Sequence, residues 1–188
     1  MNFKSVLLCL ALGACAHGKM GVVDQDLSAG AIPAGATISI EPVSAADAKF
    51  SGDKSGVAQR VNDEKIEIKD RYNRMIAEQL KKKGFNAQAT LVPAKSGLAL
   101  KGKVSKFEHG SAAARILVGM GAGSSDLYTD FELVDVDSQK RLAKFEIIAT
   151  SGGSGGMQAA GSYMSAHLEN GSEKVAEYLT QKNNPNAK

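Results

Sequence analysis

Between residues 56 and 83 the apolar side chains Val61, Ile68, Tyr72, Met75, Ile76 and Leu80 recur at helical spacing, and Lys, Glu, Asp and Arg fill most other positions. A stripe of that period predicts one long amphipathic helix lying on a core. Asp63 and Glu64 come early and Lys81, Lys82 and Lys83 come last, which complements the helix dipole. Gly84 supplies a left-handed stop, with Phe85 placed to fold back in a Schellman ending. Ahead of the helix, residues 36–40 alternate as Ala-Thr-Ile-Ser-Ile and stop at Pro42, which predicts a short strand. Behind it the period changes from helical to alternating. Strands are predicted over 87–92, 98–107, 113–118, 127–136 and 142–150, with Asp135 to Gln139 turning between the last two. Gly152, Gly153, Gly155 and Gly156 make a hinge, and Tyr163, Leu168, Val175, Tyr178 and Leu179 then mark a closing helix that Asn170-Gly171 threatens to break. The order β-α-β-β-β-β-β-α predicts an α+β fold, an antiparallel sheet of about five to six strands with two helices packed on one face.

The flanks read differently. Met1 to Lys4 carries one positive charge, and Ser5 to Ala14 is an apolar stretch of signal-peptide length. A membrane span takes roughly 20 apolar residues, so this segment is expected to target the chain and then be removed. It ends in Leu12-Gly13-Ala14-Cys15, which resembles the bacterial lipobox: an aliphatic residue three before the cysteine, then two small ones. Ala14 and Cys15 flank the expected signal cleavage point, and Cys15 is the expected lipid attachment residue. Cys9 follows the bulky Leu8 and suits a narrow peptidase cleft less well. The competing reading is an ordinary secretory signal cut at Ala11-Leu12-Gly13 or Ala14-Cys15-Ala16, which would leave Cys15 as an unpaired exported thiol. Acyl chains on Cys15, at about 0.8 kcal/mol per buried methylene, would anchor the chain to a membrane. Ala16, where an aspartate would retain the protein, resembles the pattern sorted to the outer membrane facing the periplasm, if the cell is Gram-negative. Residues 16–35 mix Gly, Ala, Asp and Ser without periodicity and predict a tether spanning on the order of 25 Å. Residues 183–188 predict a frayed polar tail. The expected organisation is a signal over 1–14, a lipidated cysteine and tether over 15–35, one domain over 36–182, and the tail.

Composition narrows the functional classes. Removing 14 of 188 residues leaves 174, enough for one domain with a real core. Of 23 Lys and Arg, Lys4 leaves with the signal, so 22 basic residues face 20 acidic ones, interspersed along the chain. Nucleic-acid binding wants a clustered basic face and is not expected. With Cys9 discarded, Cys15 is the only cysteine of the mature chain, so no disulfide framework is available.

The motifs that carry chemistry fail on spacing. Residues 115–125 read R-I-L-V-G-M-G-A-G-S-S; a phosphate-binding loop would end in Gly-Lys-Ser/Thr before a helix, and a dinucleotide fingerprint would place its third glycine one residue later. Gly119, Gly121 and Gly123 are better suited to a loop or sheet bulge that contacts a partner. His17, His109 and His167 are scattered, with no i, i+4 pair and no cysteine partner, so neither metal nor cofactor is expected. Ser151-Gly152-Gly153-Ser154-Gly155 lacks the spacing and the strand-to-helix elbow of a nucleophile motif. Lys81 to Lys83 offer a contact for anionic lipid or glycan, but a solvated helix end is the better reading.

The lipobox, the long helix, the run R-I-L-V-G-M-G-A-G-S-S-D-L-Y-T-D-F-E-L-V over 115–134, the turn at 135–139 and the strand over 142–148 together are similar to the domain of unknown function family 4410. The resemblance extends from about Thr37 to Leu179. It implies a small bacterial protein, in many cases a lipoprotein, and no catalytic residues. One departure is Asp137-Ser138-Gln139, where the turn would be expected to hold a glycine. The expectation is a non-enzymatic envelope lipoprotein, held to the membrane through Cys15, that binds an envelope protein or glycan through the sheet face or the glycine-rich loops. The alternative is a small-molecule or lipid carrier whose last helix lifts on the 152–156 hinge.

Overall fold

A computed structural model describes residues 18–52, 56–111, 124–151 and 162–184. In chain order the elements are β1 (Gly18–Gln25), β2 (Thr37–Ile40), β3 (Lys49–Gly52), α1 (Ala58–Lys82), β4 (Asn86–Ala89), β5 (Leu98–His109), β6 (Ser125–Asp135), β7 (Lys140–Ser151) and α2 (Ser162–Asn183). The strands form one seven-stranded sheet in the order β1-β7-β6-β5-β2-β4, with β3 also on β5. The fold is α+β, as the periodicity implies, but the sheet is mixed. β1, β7, β6 and β5 pair antiparallel, whereas β2 is parallel to both β4 and β5, and β3 is parallel to β5. The reason is α1. A 25-residue helix between β2 and β4 returns the chain to the end where it started, so the second strand lies parallel to the first.

Alternation fixes which face is core. On β6, Ser125, Leu127, Thr129, Phe131 and Leu133 are buried, and the residues between them are half-exposed. Both helices lie against that buried face. Ile68, Tyr72, Ile76 and Leu80 of α1 and Leu168, Val175 and Leu179 of α2 are fully buried in one cluster with Phe107, Phe131 and Phe145. Arg71 and Glu67 of α1 both bond the Ser165 hydroxyl, tying the helices together.

The end of α1 follows from its sequence. Gly84 sits at φ 86°, its N–H bonds the Lys81 carbonyl at 3.0 Å, and the Phe85 N–H bonds the Leu80 carbonyl at 3.0 Å, the double closure of a Schellman ending.

Elsewhere the structure departs from expectation. The stretch expected as tether instead carries β1, and past it Leu27 and Ile32 are buried. Asn183, expected at the start of a frayed tail, closes α2. Its carbonyl accepts from Gly30 N–H and its side-chain oxygen accepts from Ile32 N–H, both at 2.8 Å. That answers a carbonyl which a helix end would otherwise leave unbonded. The strand expected over 113–118, the hinge glycines 152–156, Cys15, Ala14, His17 and the loop glycines Gly119, Gly121 and Gly123 lie outside the described residues.

The turn without a glycine has a measurable consequence. Gln139 occupies φ 56°, a conformation that strains a side-chain-bearing residue. Gln139→Gly is therefore expected to stabilise the domain by about 0.5 kcal/mol net of the extra chain entropy, read as a raised urea midpoint. An unchanged or lowered midpoint would mean the turn bears no strain.

Candidate functional site

The sheet face away from the helices carries charges in register across three strands. Lys101, Glu132 and Lys144 form one row, Lys103, Asp130 and Glu146 a second, and Lys106, Tyr128 and Ile148 a third. Their order follows from period-two alternation, which sends every second residue of each strand to this side. Side chains here stay accessible: Lys106 is 42% exposed, Glu108 37%, Glu132 40% and Lys144 39%. Tyr128 is the aromatic centre. Its hydroxyl donates to Glu108 at 3.0 Å, and the Lys106 ammonium sits 5.4 Å from its ring centroid. The hydrogen bond from Lys106 holds the Glu108 carboxyl below its ordinary range. Burial, followed by the Glu108 carboxylate, pushes the Tyr128 phenol up to about 12, so it remains a donor at physiological pH. At the margin Arg141 reaches both Glu132 and Asp24 at 3.5 Å. Exposed pairs of this kind contribute little to stability, each about 0–1 kcal/mol.

A second cluster is buried where the end of β5 and the start of β6 meet the helices. Histidines that look scattered in sequence flank one ring here: Phe107 lies 4.5 Å from His109 and 5.2 Å from His167, centroid to centroid. His109 Nε2 is 3.0 Å from both Glu64 oxygens, and its Nδ1 is 3.2 Å from the Ser51 carbonyl. Glu64 also accepts from Arg60 at 2.8 Å. This joins α1 to the ends of β3 and β5. His167 Nδ1 is 2.6 Å from the Ala149 carbonyl, and its Nε2 is 2.8 Å from the Ser125 hydroxyl. A carbonyl only accepts, so Nδ1 bears the proton and Nε2 accepts from Ser125. Burial holds the His167 ring neutral, its pKa lowered to about 4.

The Ser125-His167 pair has the atoms of a nucleophile and its base but not their chemistry. A base matched to neutral pH has a pKa near it, and His167 lies well below. Its orienting partner is the neutral Ala149 carbonyl, which fixes the tautomer without the charge that would stabilise an imidazolium. Both side chains lie in the core, with Ser125 5% exposed and His167 fully enclosed. The arrangement pins α2 to the sheet, helped by Asn170, which donates to the Thr150 carbonyl at 3.0 Å. Among the described residues no group of three His, Cys, Asp or Glu could hold a metal ion. A groove of about 500 Å3 opens at the opposite end of the sheet beside Thr37, Ser39 and Gln88. Its acids are committed to backbone: Asp135 accepts from the Asp137 and Ser138 N–H groups, and Asp137 from Gly97 N–H.

The rows around Tyr128 were legible as the polar half of the alternation, although Tyr128 itself carried no motif. The histidine cluster was not foreseen. One signal did exist: Glu64 falls in step with Ile68, Tyr72, Ile76 and Leu80, every fourth residue, so a carboxylate rides the buried stripe and requires a partner.

The family described as Domain of unknown function (DUF4410) matches residues 37–155. No curated protein sequence matches the chain. Among solved structures, a variant of the PelC dodecamer from Paraburkholderia phytofirmans is similar at TM-score 0.49 and 12% identity, over 87% of this chain and 95% of that one. A DUF330 protein from Xanthomonas campestris is similar at TM-score 0.48 and 13% identity, over 84% and 93% respectively.

Proposed function

We propose that this chain, which belongs to the DUF4410 family, is an envelope lipoprotein held to a membrane by acyl chains on Cys15, and that it binds a polar envelope partner, protein or glycan, through the sheet face centred on Tyr128. The observation that carries the binding reading is the accessible face itself: two rows of charged residues, Lys101-Glu132-Lys144 and Lys103-Asp130-Glu146, beside a third in which Lys106 flanks the Tyr128 ring. Interfaces concentrate their energy in a few Tyr, Trp and Arg anchors inside a polar rim, and here those anchors are Tyr128 and Arg141. A lipid carrier would need room beneath α2. That layer is filled by Leu168, Val175, Tyr178 and Leu179 packed on Phe145 and its neighbours, which weighs against carriage. The binding reading involves no catalysis, in keeping with a Ser125-His167 pair that serves as a structural pin.

Purified cell-wall fragments and detergent-solubilised envelope proteins, presented to the immobilised mature chain carrying Cys15→Ser, test the binding half. Specific retention is expected, and Tyr128→Ala with Arg141→Ala should weaken it by at least about thirty-fold while leaving the thermal midpoint within a few degrees. Retention that ignores both substitutions would move the binding surface elsewhere. No specific retention of either class would reject the binding reading.

A further inference from the structure

The lipid proposed for Cys15 and the first described strand are almost contiguous. Only residues 16 and 17 separate Cys15 from Gly18, a reach of at most about 11 Å. Among the described residues β1 is the edge of the sheet, with β7 on one side and no described strand on the other. Edge strands are ordinarily protected by charge, proline or strong twist. Here the register shifts between Met20 and Val23, and the edge shows apolar side chains: Met20 is 39% exposed, Val22 73% and Val23 40%. Lys19 is exposed beside them. This apolar strip has Lys19 at one end and, at the other, Asp24, whose carboxylate is paired with Arg141 and Lys144; at most about 11 Å of chain from the proposed lipid, it has the chemistry of a segment that settles in the headgroup and acyl boundary.

We infer that the β1 edge, through Met20, Val22 and Val23, docks on the surface of the membrane in which the Cys15 lipid is embedded, so the domain sits against the bilayer rather than hanging from a tether. The inference rests on the lipoprotein reading. Docking by β1 leaves the other edge of the sheet, where Leu91 is 92% exposed after β4, directed away from the lipid.

The chain has no tryptophan, so one introduced residue reports alone. V22W and L91W variants of the full acylated chain, purified from membranes and reconstituted in phosphatidylcholine vesicles with or without acyl-brominated lipid, give the test. M20W provides a second reporter on the same edge. The V22W and M20W emissions are expected to be blue-shifted and quenched by brominated lipid, with L91W unquenched. A ten-residue Gly-Ser insertion between His17 and Gly18 should weaken the quenching. Edge reporters as hydrated as L91W, in protein whose mass confirms acylation at Cys15, would overturn the docking and leave the lipoprotein reading standing. A blue shift that depends on protein concentration and not on brominated lipid would assign the edge to a second copy of the chain and overturn it as well. Absence of acyl mass on Cys15 would overturn both.

Discussion

Gly171→Ala is expected to destabilise the domain by about 2 kcal/mol, although alanine is the better helix former by about 1 kcal/mol. A methyl group at Gly171 would fall 2.2 Å from the Tyr72 hydroxyl, 3.1 Å from its ring carbon and 3.4 Å from Ala149 Cβ. Tyr72 cannot swing aside, because it is fully buried and packed edge-on to Phe131 at 6.0 Å. The same contact identifies the remedy. The Tyr72 and Thr129 hydroxyls face each other in the core, and neither makes a well-formed hydrogen bond. Burial accordingly drives the Tyr72 phenol far above its ordinary range. Tyr72→Phe removes an oxygen that contributes little, so alone it should change stability by less than about 1 kcal/mol. In the Gly171→Ala background it should recover most of the loss. Urea denaturation of the four proteins measures the coupling directly. If the two changes add independently, the close approach of α1 and α2 at Gly171 is wrong.

Acidification is expected to remove about 3 kcal/mol of stability through His167. The folded ring is held at about 4 by burial, against 6.5 for a free histidine, so the unfolded chain binds the extra proton first. The contribution is fully present above pH 6.5, falls as pH drops towards 4, and changes no further below that. The charged or titratable groups acting on His167 are Asp126 from β6, Glu64 from α1 and His109 from β5; the two acids favour its proton and His109 opposes it, but burial outweighs them. Protonating His167 would also turn the nitrogen that accepts from Ser125 into a donor. Stability curves at pH 7.0, 5.5 and 4.5 check this. The wild type should lose more than His167→Gln over that interval, and parallel curves would mean that the ring is solvated or already charged.

Both predictions fall on residues whose roles the sequence concealed for a specific reason. Asn170-Gly171 reads as a helix breaker, and in a free peptide it would weaken the helix. In the fold Asn170 bonds the end of β7 while Gly171 admits Tyr72, so tertiary contacts override local propensity. His109 and His167 are 58 positions apart and meet only because the sheet brings the end of β5 beside the start of β6 under α2. Short-range pattern was a good guide wherever partners are local. The stripe of α1 and its Schellman ending follow from residues within a turn or two of each other, and the β6-β7 hairpin from two alternating segments joined by one short turn. It failed for β1, whose Gly-Lys-Met-Gly-Val-Val-Asp-Gln has no alternation and becomes a strand through pairing with Lys144 to Ala149, more than a hundred residues on. Parallel pairing was missed for a related reason. A long helix between two short strands allows a crossover, whereas the run of alternating segments behind it points to an antiparallel meander.

Membrane attachment is the premise on which the binding face acquires its setting and the β1 edge its partner. The attachment proposed is the lipid on Cys15; no described helix is long and apolar enough to cross a bilayer. Intact-mass analysis of the amino-terminal peptide of the native protein, taken from the cells that make it, decides the matter. The account predicts a peptide that begins at Cys15 and carries the mass of a diacylglyceryl group. A peptide beginning at another residue, or a Cys15 of unmodified mass, would contradict it.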